Sequence, residues 1–314
     1  MSAVATRPRV GFLGVGWIGR SRLDALAATG AAEIAALADP AVPDACDTLE
    51  ELLEHDLDGV VIATPSALHA EQAIAALDAG VAVFCEKPLG RSAGETRAAV
   101  EAARRADRLL AVDYCYRFTR AAEALRAALA GLGRIDAVEL VFHNAYGPDK
   151  PWYYDRERAG GGCLLDLGTH LVDLALWLLA PARVIDAEAR LLHRGGHGVE
   201  DYAVARLELD SGVSVSLACS WNLPAGHDCE LRAAFYGSGG GAALRNVDGS
   251  FYDLVAERYL GTRTETLVAP PDDWGGRAIE AWARQLGAGG GYDPRVERAV
   301  AVAEAIDALY RSAR

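Results

Sequence analysis

A chain of 314 residues exceeds one ordinary core and reads as two domains, and a composition of 51% hydrophobic and 24% charged residues excludes disorder. A net charge of −13 argues against a nucleic-acid backbone or an anionic membrane as the main partner. Met1 to Arg9 carries no apolar run of signal-peptide length and the six cysteines form no C-x-x-C pair, so a cytoplasmic protein with reduced thiols and no metal site is expected.

The first elements alternate strand and helix. The apolar run Arg9 to Leu13 leads through Gly14-Val15-Gly16-Trp17-Ile18-Gly19 into a helical pattern from Arg20 to Ala28. In that context G-x-G-x-x-G has a mechanism: Gly14 makes the tight turn, Gly16 lets backbone approach a pyrophosphate, and Gly19 lets helix and strand pack closely. The second strand, Glu33 to Ala38, ends at Asp39, where a carboxylate accepts ribose hydroxyls. Because that carboxylate repels a 2'-phosphate and residues 40–49 contain no Arg or Lys, NAD is preferred over NADP. The crossover helix after Asp39 is cut short by Pro40 and Pro43, and the next helix opens with a capping box, Thr48 and Glu51.

Strand three, Gly59 to Ala63, closes at Thr64-Pro65, a helix covers Ser66 to Ala79, and strand four, Val81 to Cys85, delivers Glu86-Lys87-Pro88 at its C-terminal end. Ligands of open parallel sheets bind outside those ends. The candidate cofactor contacts are therefore Gly14, Gly16, Trp17, Ile18, Gly19, Asp39, Thr64, Pro65, Glu86 and Lys87. A lysine before proline in a tight turn suits a cis peptide, and His69, in the first turn of its helix, reads as structural. A helix from Ser92 to Ala106 and a strand from Leu109 to Asp113 complete a doubly wound α/β domain, residues 1–118, and Arg117 at its end is a candidate substrate or cofactor contact.

Residues 119–314 read as an α+β domain. A helix from Arg120 to Ala130 precedes long strands at Asp136 to Asn144, Arg183 to His193, Asp201 to Leu209, Val213 to Trp221 and Cys229 to Tyr236. Ala203, Ala205, Leu207 and Leu209 alternate with Val204, Arg206 and Glu208, which suits an antiparallel sheet with one face on helices and the other free for an oligomer contact. The aromatic loop 148–155 offers Trp152 and Tyr153 for stacking on a sugar ring. Gly160-Gly161-Gly162 then opens an apolar segment on which Asp166, His170 and Asp173 stand at i, i+4 and i+7, one face of a regular helix. A polar stripe on a buried helix must meet partners or line a cavity, so this segment reads as the floor of an active site. Helices near 277–286 and 294–311 end the chain.

In this order and spacing, the Gly14-x-Gly16-x-x-Gly19, Glu86-Lys87-Pro88 and Gly160-Gly161-Gly162-x-x-x-Asp166-x-Gly168-x-His170-x-x-Asp173 stations resemble the glucose-fructose oxidoreductase / inositol dehydrogenase (Gfo/Idh/MocA) family over essentially the whole chain. The resemblance implies a Rossmann domain, an α+β domain with a large open sheet, dimers or tetramers through that sheet, and NAD(P)-linked hydride transfer at a secondary hydroxyl or carbonyl of a sugar, sugar derivative or cyclitol. It carries Lys87, Asp166 and His170 over as the catalytic set. Neutral His170 suits a base, since its ordinary pKa is about 6.5, and Lys87 suits stabilisation of alkoxide character or, with a pKa lowered by burial or a nearby positive charge, the base itself. Asp166 suits orienting the imidazole or binding a neighbouring hydroxyl. Two other readings stay open: a glycoside-cleaving enzyme that uses transient oxidation, and a nucleotide- and sugar-sensing regulator.

Overall fold

The computed structural model describes residues 7–272 and 274–313. Its first elements follow the alternating pattern: β1 (Arg9–Leu13), α1 (Trp17–Thr29), β2 (Glu33–Ala38), α2 (Leu49–Leu53), β3 (Gly59–Ile62), α3 (Ser66–Asp78), β4 (Ala82–Cys85), α4 (Ala93–Ala106) and β5 (Leu110–Val112). The strands run parallel in the order β2-β1-β3-β4-β5. Every residue of β3 and β4 is buried, as strands covered on both faces are. The strand order reverses at β1, which puts the topological switch point at the C-terminal ends of β1 and β3.

After β2 the shortened connection is a loop pinned to the sheet, with Asp39 N–H donating to Cys46 O at 3.0 Å and Cys46 N–H to Leu37 O at 2.9 Å. Thr48 Oγ1 caps α2 by accepting the Glu51 N–H at 3.2 Å, while the Glu51 carboxylate reaches back to the Asp47 N–H at 2.8 Å rather than to Thr48.

The remaining elements are α5 (Arg120–Leu129), β6 (Ile135–Asn144), α6 (Arg156–Ala159), a π-helical turn at Leu164–Gly168, α7 (Thr169–Leu178), β7 (Val184–Leu192), β8 (Tyr202–Leu209), β9 (Ser214–Ser220), β10 (Cys229–Gly237), β11 (Gly240–Asn246), β12 (Leu254–Leu260), β13 (Arg263–Val268), α8 (Gly276–Gly287) and α9 (Arg298–Ser312). The eight strands form one sheet ordered β13-β12-β11-β10-β6-β9-β8-β7, antiparallel except where β6 and β9 run parallel. Ala203, Ala205, Leu207 and Leu209 of β8 are all buried while Val204 is 47% exposed, so the alternation read from the sequence sets the face. Helices α5 and α7 pack on this sheet. The opposite face carries paired charges, Arg232 on Glu139 at 2.9 Å and Arg245 on Glu257 at 2.7 Å.

The chain divides into two units, one running to Cys115 and resuming at Gly275–Val300, the other comprising Tyr116–Trp274 and the residues from Ala301. A second domain unbroken from residue 119 to the C-terminus is therefore not what forms. The cause is apolar packing: Trp282 of α8 lies 5.7 Å, centroid to centroid, from Phe84 of β4. Gly59 makes room for that indole, since a Cβ there would stand 2.6 Å from it.

Within the second unit, Gly160 serves a left-handed backbone, φ +88°, and the next two glycines are explained by crowding. A Cβ at Gly161 would stand 2.1 Å from the Tyr310 hydroxyl, and one at Gly162 would stand 1.9 Å from the Glu200 carbonyl oxygen. The same Glu200 carbonyl accepts the Cys163 N–H at 2.9 Å. Its carboxylate accepts the Gly162 and Leu164 N–H groups at 3.0 Å each and the Tyr310 hydroxyl at 2.7 Å. Three successive N–H groups at the head of a helical segment thus converge on one buried residue, where the helix dipole favours a negative charge. Gly162→Ala is expected to destabilise the protein by at least about 1–3 kcal/mol, read as a lowered urea midpoint. An unchanged midpoint would show that the triplet is not packed this way.

Candidate active site

The nucleotide-binding loop is built by close backbone contacts at the switch point. Gly14 adopts φ +87°, donates its N–H to Ala38 O at 2.8 Å, and would place a Cβ 2.7 Å from Ala63 O. Gly19 would place one 2.1 Å from Gly14 O. Gly16, the N-cap of α1 with no side-chain cap, differs: nothing lies within 4 Å of its Cβ position. An uncapped helix N-terminus facing open space is what a pyrophosphate requires, and Trp17 beside it is 68% exposed. Asp39 accepts the Val15 N–H on Oδ2 at 2.7 Å and the Ala41 N–H on Oδ1 at 2.9 Å. A carboxylate has about four acceptor positions, so two bonds to backbone fix its direction and leave capacity for ribose hydroxyls. These residues fit a dinucleotide.

At the end of β4, the Lys87-Pro88 peptide is cis, as a tight turn there suggested. Beneath it lies a charge cluster that the sequence reading did not name. Arg22 of α1, 1% exposed, pairs with Asp113 through a short Nε–carboxylate contact and with Glu86 at 3.3 Å. Its signal was an arginine in register with Gly19 and Leu26, the buried stripe of α1. Burial opposes the guanidinium charge, yet Asp113 and Glu86 hold its pKa above the ordinary value. Burial, reinforced by Asp113 and opposed by Arg22, raises the Glu86 carboxyl well above the usual carboxylate range. Glu86, expected at the cofactor edge, is thus 6% exposed and built into this cluster. His69 is 2% exposed and lies between two backbone carbonyls, the structural setting its position suggested.

In the second unit, the stretch carrying Asp166, His170 and Asp173 is not one regular helix. The π-helical turn Leu164–Gly168 precedes α7, so Asp166 stands in π geometry while His170 and Asp173 stand in α geometry. A π turn displaces side chains from the i, i+4 alignment, and such turns recur at functional sites. Asp166 accepts the Trp221 Nε1–H at 3.1 Å. His170, 9% exposed, meets the ring of Tyr116 edge-on at 5.1 Å and that of Phe142 at 6.3 Å. Asp173, 1% exposed, takes a two-pronged ion pair from Arg117, one arm 2.8 Å long. Arg117, expected as a substrate or cofactor contact, therefore braces α7 beside Tyr116. Trp152 stacks on Tyr153 at 3.8 Å, and Tyr153 meets Trp221 edge-on at 6.3 Å, which joins the aromatic loop to the partner of Asp166.

The structure brings Asp166, Trp152 and Tyr153 together through Trp221, and groups His170 with Asp173 through Tyr116-Arg117. Glu200, Trp221 and Arg22 went unnoticed in the sequence because their partners lie far away in the chain. A carboxyl whose pKa rises on folding stabilises the fold below its unfolded value, and that contribution is lost as pH climbs through the folded one. Glu86→Gln stays neutral at every pH. It is expected to gain stability relative to the parent chain as pH rises above the ordinary carboxylate range, by urea denaturation between pH 4.5 and 9. A stability difference constant across that range would mean Glu86 is already ionised in the fold.

Residues 8–114 match the family model for the GFO/IDH/MocA oxidoreductase NAD-binding Rossmann fold, and residues 120–243 match the GFO/IDH/MocA C-terminal domain. The D-xylose 1-dehydrogenase (NADP(+)) 2 of Haloferax volcanii is 33% identical over an alignment covering 92% of this chain and 89% of its own. The inositol 2-dehydrogenase of Rhizobium meliloti is 32% identical over 76% of each. Among solved structures, GenD2 from gentamicin A biosynthesis in complex with NAD superposes with a TM-score of 0.81 at 27% identity, covering 99% of this chain and 96% of that one. A 3-ketoreductase from Actinomadura kijaniata in complex with NADP and TDP-benzene gives 0.83 at 26% identity, covering 98% of each. Both sequence and architecture therefore place this chain in the GFO/IDH/MocA family, as an NAD(P)-dependent oxidoreductase.

Proposed function

We propose that the protein transfers a hydride between NAD and a secondary hydroxyl or carbonyl of a sugar, sugar derivative or cyclitol. One observation carries this reading. A cradle with room for a pyrophosphate at the uncapped start of α1 lies on the same parallel sheet that presents Lys87 at the end of β4. The substrate class follows from relatives named for xylose and inositol and from the half-buried Trp152–Tyr153 pair, whose faces suit the C–H side of a pyranose or cyclitol ring. Preference for NAD rests on Asp39 and on residues 40–49, which hold Asp44 and Asp47 but no cation. A homodimer or homotetramer through the open sheet face goes with this reading, as does a cytoplasmic setting, which suits six free cysteines, five of them buried.

The nicotinamide supplies the hydride acceptor or donor when bound. The protein's own groups handle the oxygen and its proton. His170, held edge-on by Tyr116, is the base that removes the hydroxyl proton or the acid that returns it. Lys87, on the first unit, carries a positive charge of the kind that stabilises alkoxide character. Asp166, fixed by the Trp221 indole, accepts a hydrogen bond from a neighbouring substrate hydroxyl. Arg117 and Asp173 set the direction of α7 and hence of the imidazole.

A polyol and cyclitol panel, followed at the NADH absorbance band, tests the activity; no net NAD reduction or NADH oxidation with any member would reject it. Lys87→Met and His170→Ala are expected to lower kcat by about 100-fold or more while leaving the NAD Kd within a few fold. Parental turnover in either variant removes that residue from the mechanism. Asp39→Ser is expected to move the NADP to NAD ratio of kcat/KM toward NADP by about tenfold, and an unmoved ratio would show that Asp39 does not discriminate.

A further inference from the structure

Two prolines leave the loops at the C-terminal edge of the parallel sheet short of backbone donors. The β3 loop turns at Thr64-Pro65 and the β4 loop at Lys87-Pro88, and neither proline has an N–H. The ladder between these strands ends where Glu86 N–H donates to Ile62 O at 2.9 Å. Beyond it, the carbonyls of Thr64 and Pro88 need donors from elsewhere, because a buried backbone acceptor left unpaired is costly. His69, on the first turn of α3, turns one ring nitrogen toward each, and a neutral ring donates to one of them. Its Nδ1 lies 2.7 Å from Pro88 O and its Nε2 lies 2.7 Å from Thr64 O.

We propose that His69 is a positioning residue for Lys87: its ring, carried on α3, holds the Lys87-Pro88 turn through the Pro88 carbonyl and so fixes where the lysine side chain starts. The role rests on the reading of Lys87 as a participant in the reaction. Pro88 directly follows Lys87, so the atom that His69 holds belongs to the backbone from which the ammonium departs. The other ring nitrogen faces the loop expected to line the cofactor. Burial, reinforced by the Lys87 charge and opposed by the two carbonyls, keeps the imidazole pKa below its ordinary value. A neutral ring has a single N–H, so holding the lysine turn requires that proton on Nδ1, with Nε2 unprotonated before the Thr64 carbonyl.

Amide side chains separate the two contacts. Asparagine puts an N–H near the Nδ1 position, glutamine puts one near Nε2, and leucine keeps bulk with neither. His69→Leu and His69→Gln are expected to lower kcat on the order of 100-fold, the cost of a misplaced reacting group. His69→Asn is expected to stay within about tenfold of the parent, and the NAD Kd to stay within about threefold in all three. Loss of packing alone would lower thermal stability in parallel and would not single out asparagine for rescue. Parental kcat in His69→Leu, or equal losses in the asparagine and glutamine variants, overturns the proposal. Lys87→Met is measured alongside. If it retains turnover, the lysine's own role falls and this one with it; if it is inactive while His69→Leu is not, only the role of His69 falls.

Discussion

One buried carboxylate determines how the second unit presents Asp166 and His170. Glu200 has no solvent exposure, and it gathers the backbone N–H groups of Gly162 and Leu164 together with the Tyr310 hydroxyl. Its own carbonyl takes the N–H between them, from Cys163. A helical segment normally begins with donors that lack partners, and here they are satisfied by one residue from a distant part of the chain. That anchoring sets the start of the π-helical turn, and the turn in turn sets the separate directions of Asp166 and His170. The glycines upstream are small because Glu200 and Tyr310 occupy the space that side chains there would need.

The first unit shows the same economy with different groups. Arg22 and Asp113 form an ion pair away from water, and Glu86, directly before Lys87 in the chain, is buried against Arg22 with its carboxyl pKa raised. Breaking such a cluster by removing one partner is costly, because the others remain buried without compensation. His69 adds a neutral brace on the other side of the same turn. In both units, then, the residue proposed for chemistry stands at the end of a chain of contacts: Lys87 precedes the proline whose carbonyl faces His69, and His170 lies on the helix held by Glu200 and by the Arg117–Asp173 pair. Precise placement of a reacting group requires this kind of backing, since small displacements cost large factors in rate.

Much of this was legible in the chain read by itself, and for identifiable reasons. The parallel sheet was readable because each strand is a short apolar run and each helix follows a local punctuation mark, as at Thr64-Pro65 or Ser92. The inward face of β8 was readable because its alternation is strict. Strands β11 to β13 were not: Gly240-Gly241-Ala242-Ala243 alternates in nothing, and Arg263-Thr264-Glu265-Thr266 is a polar edge. Their pairing depends on neighbours already in place.

By itself, then, the sequence determined the nucleotide-binding loop, the alternation of strand and helix in the first unit, and the family's three stations around Gly14, Lys87 and Gly160, because each depends on residues close together in the chain. Tertiary structure alone decided the π turn under Asp166, the return of α8 to the first unit, and the bracing by Glu200, Arg22 and Trp221. Those features arise from side chains tens of residues from the groups they hold. No local pattern announces a partner that only folding brings within hydrogen-bonding distance.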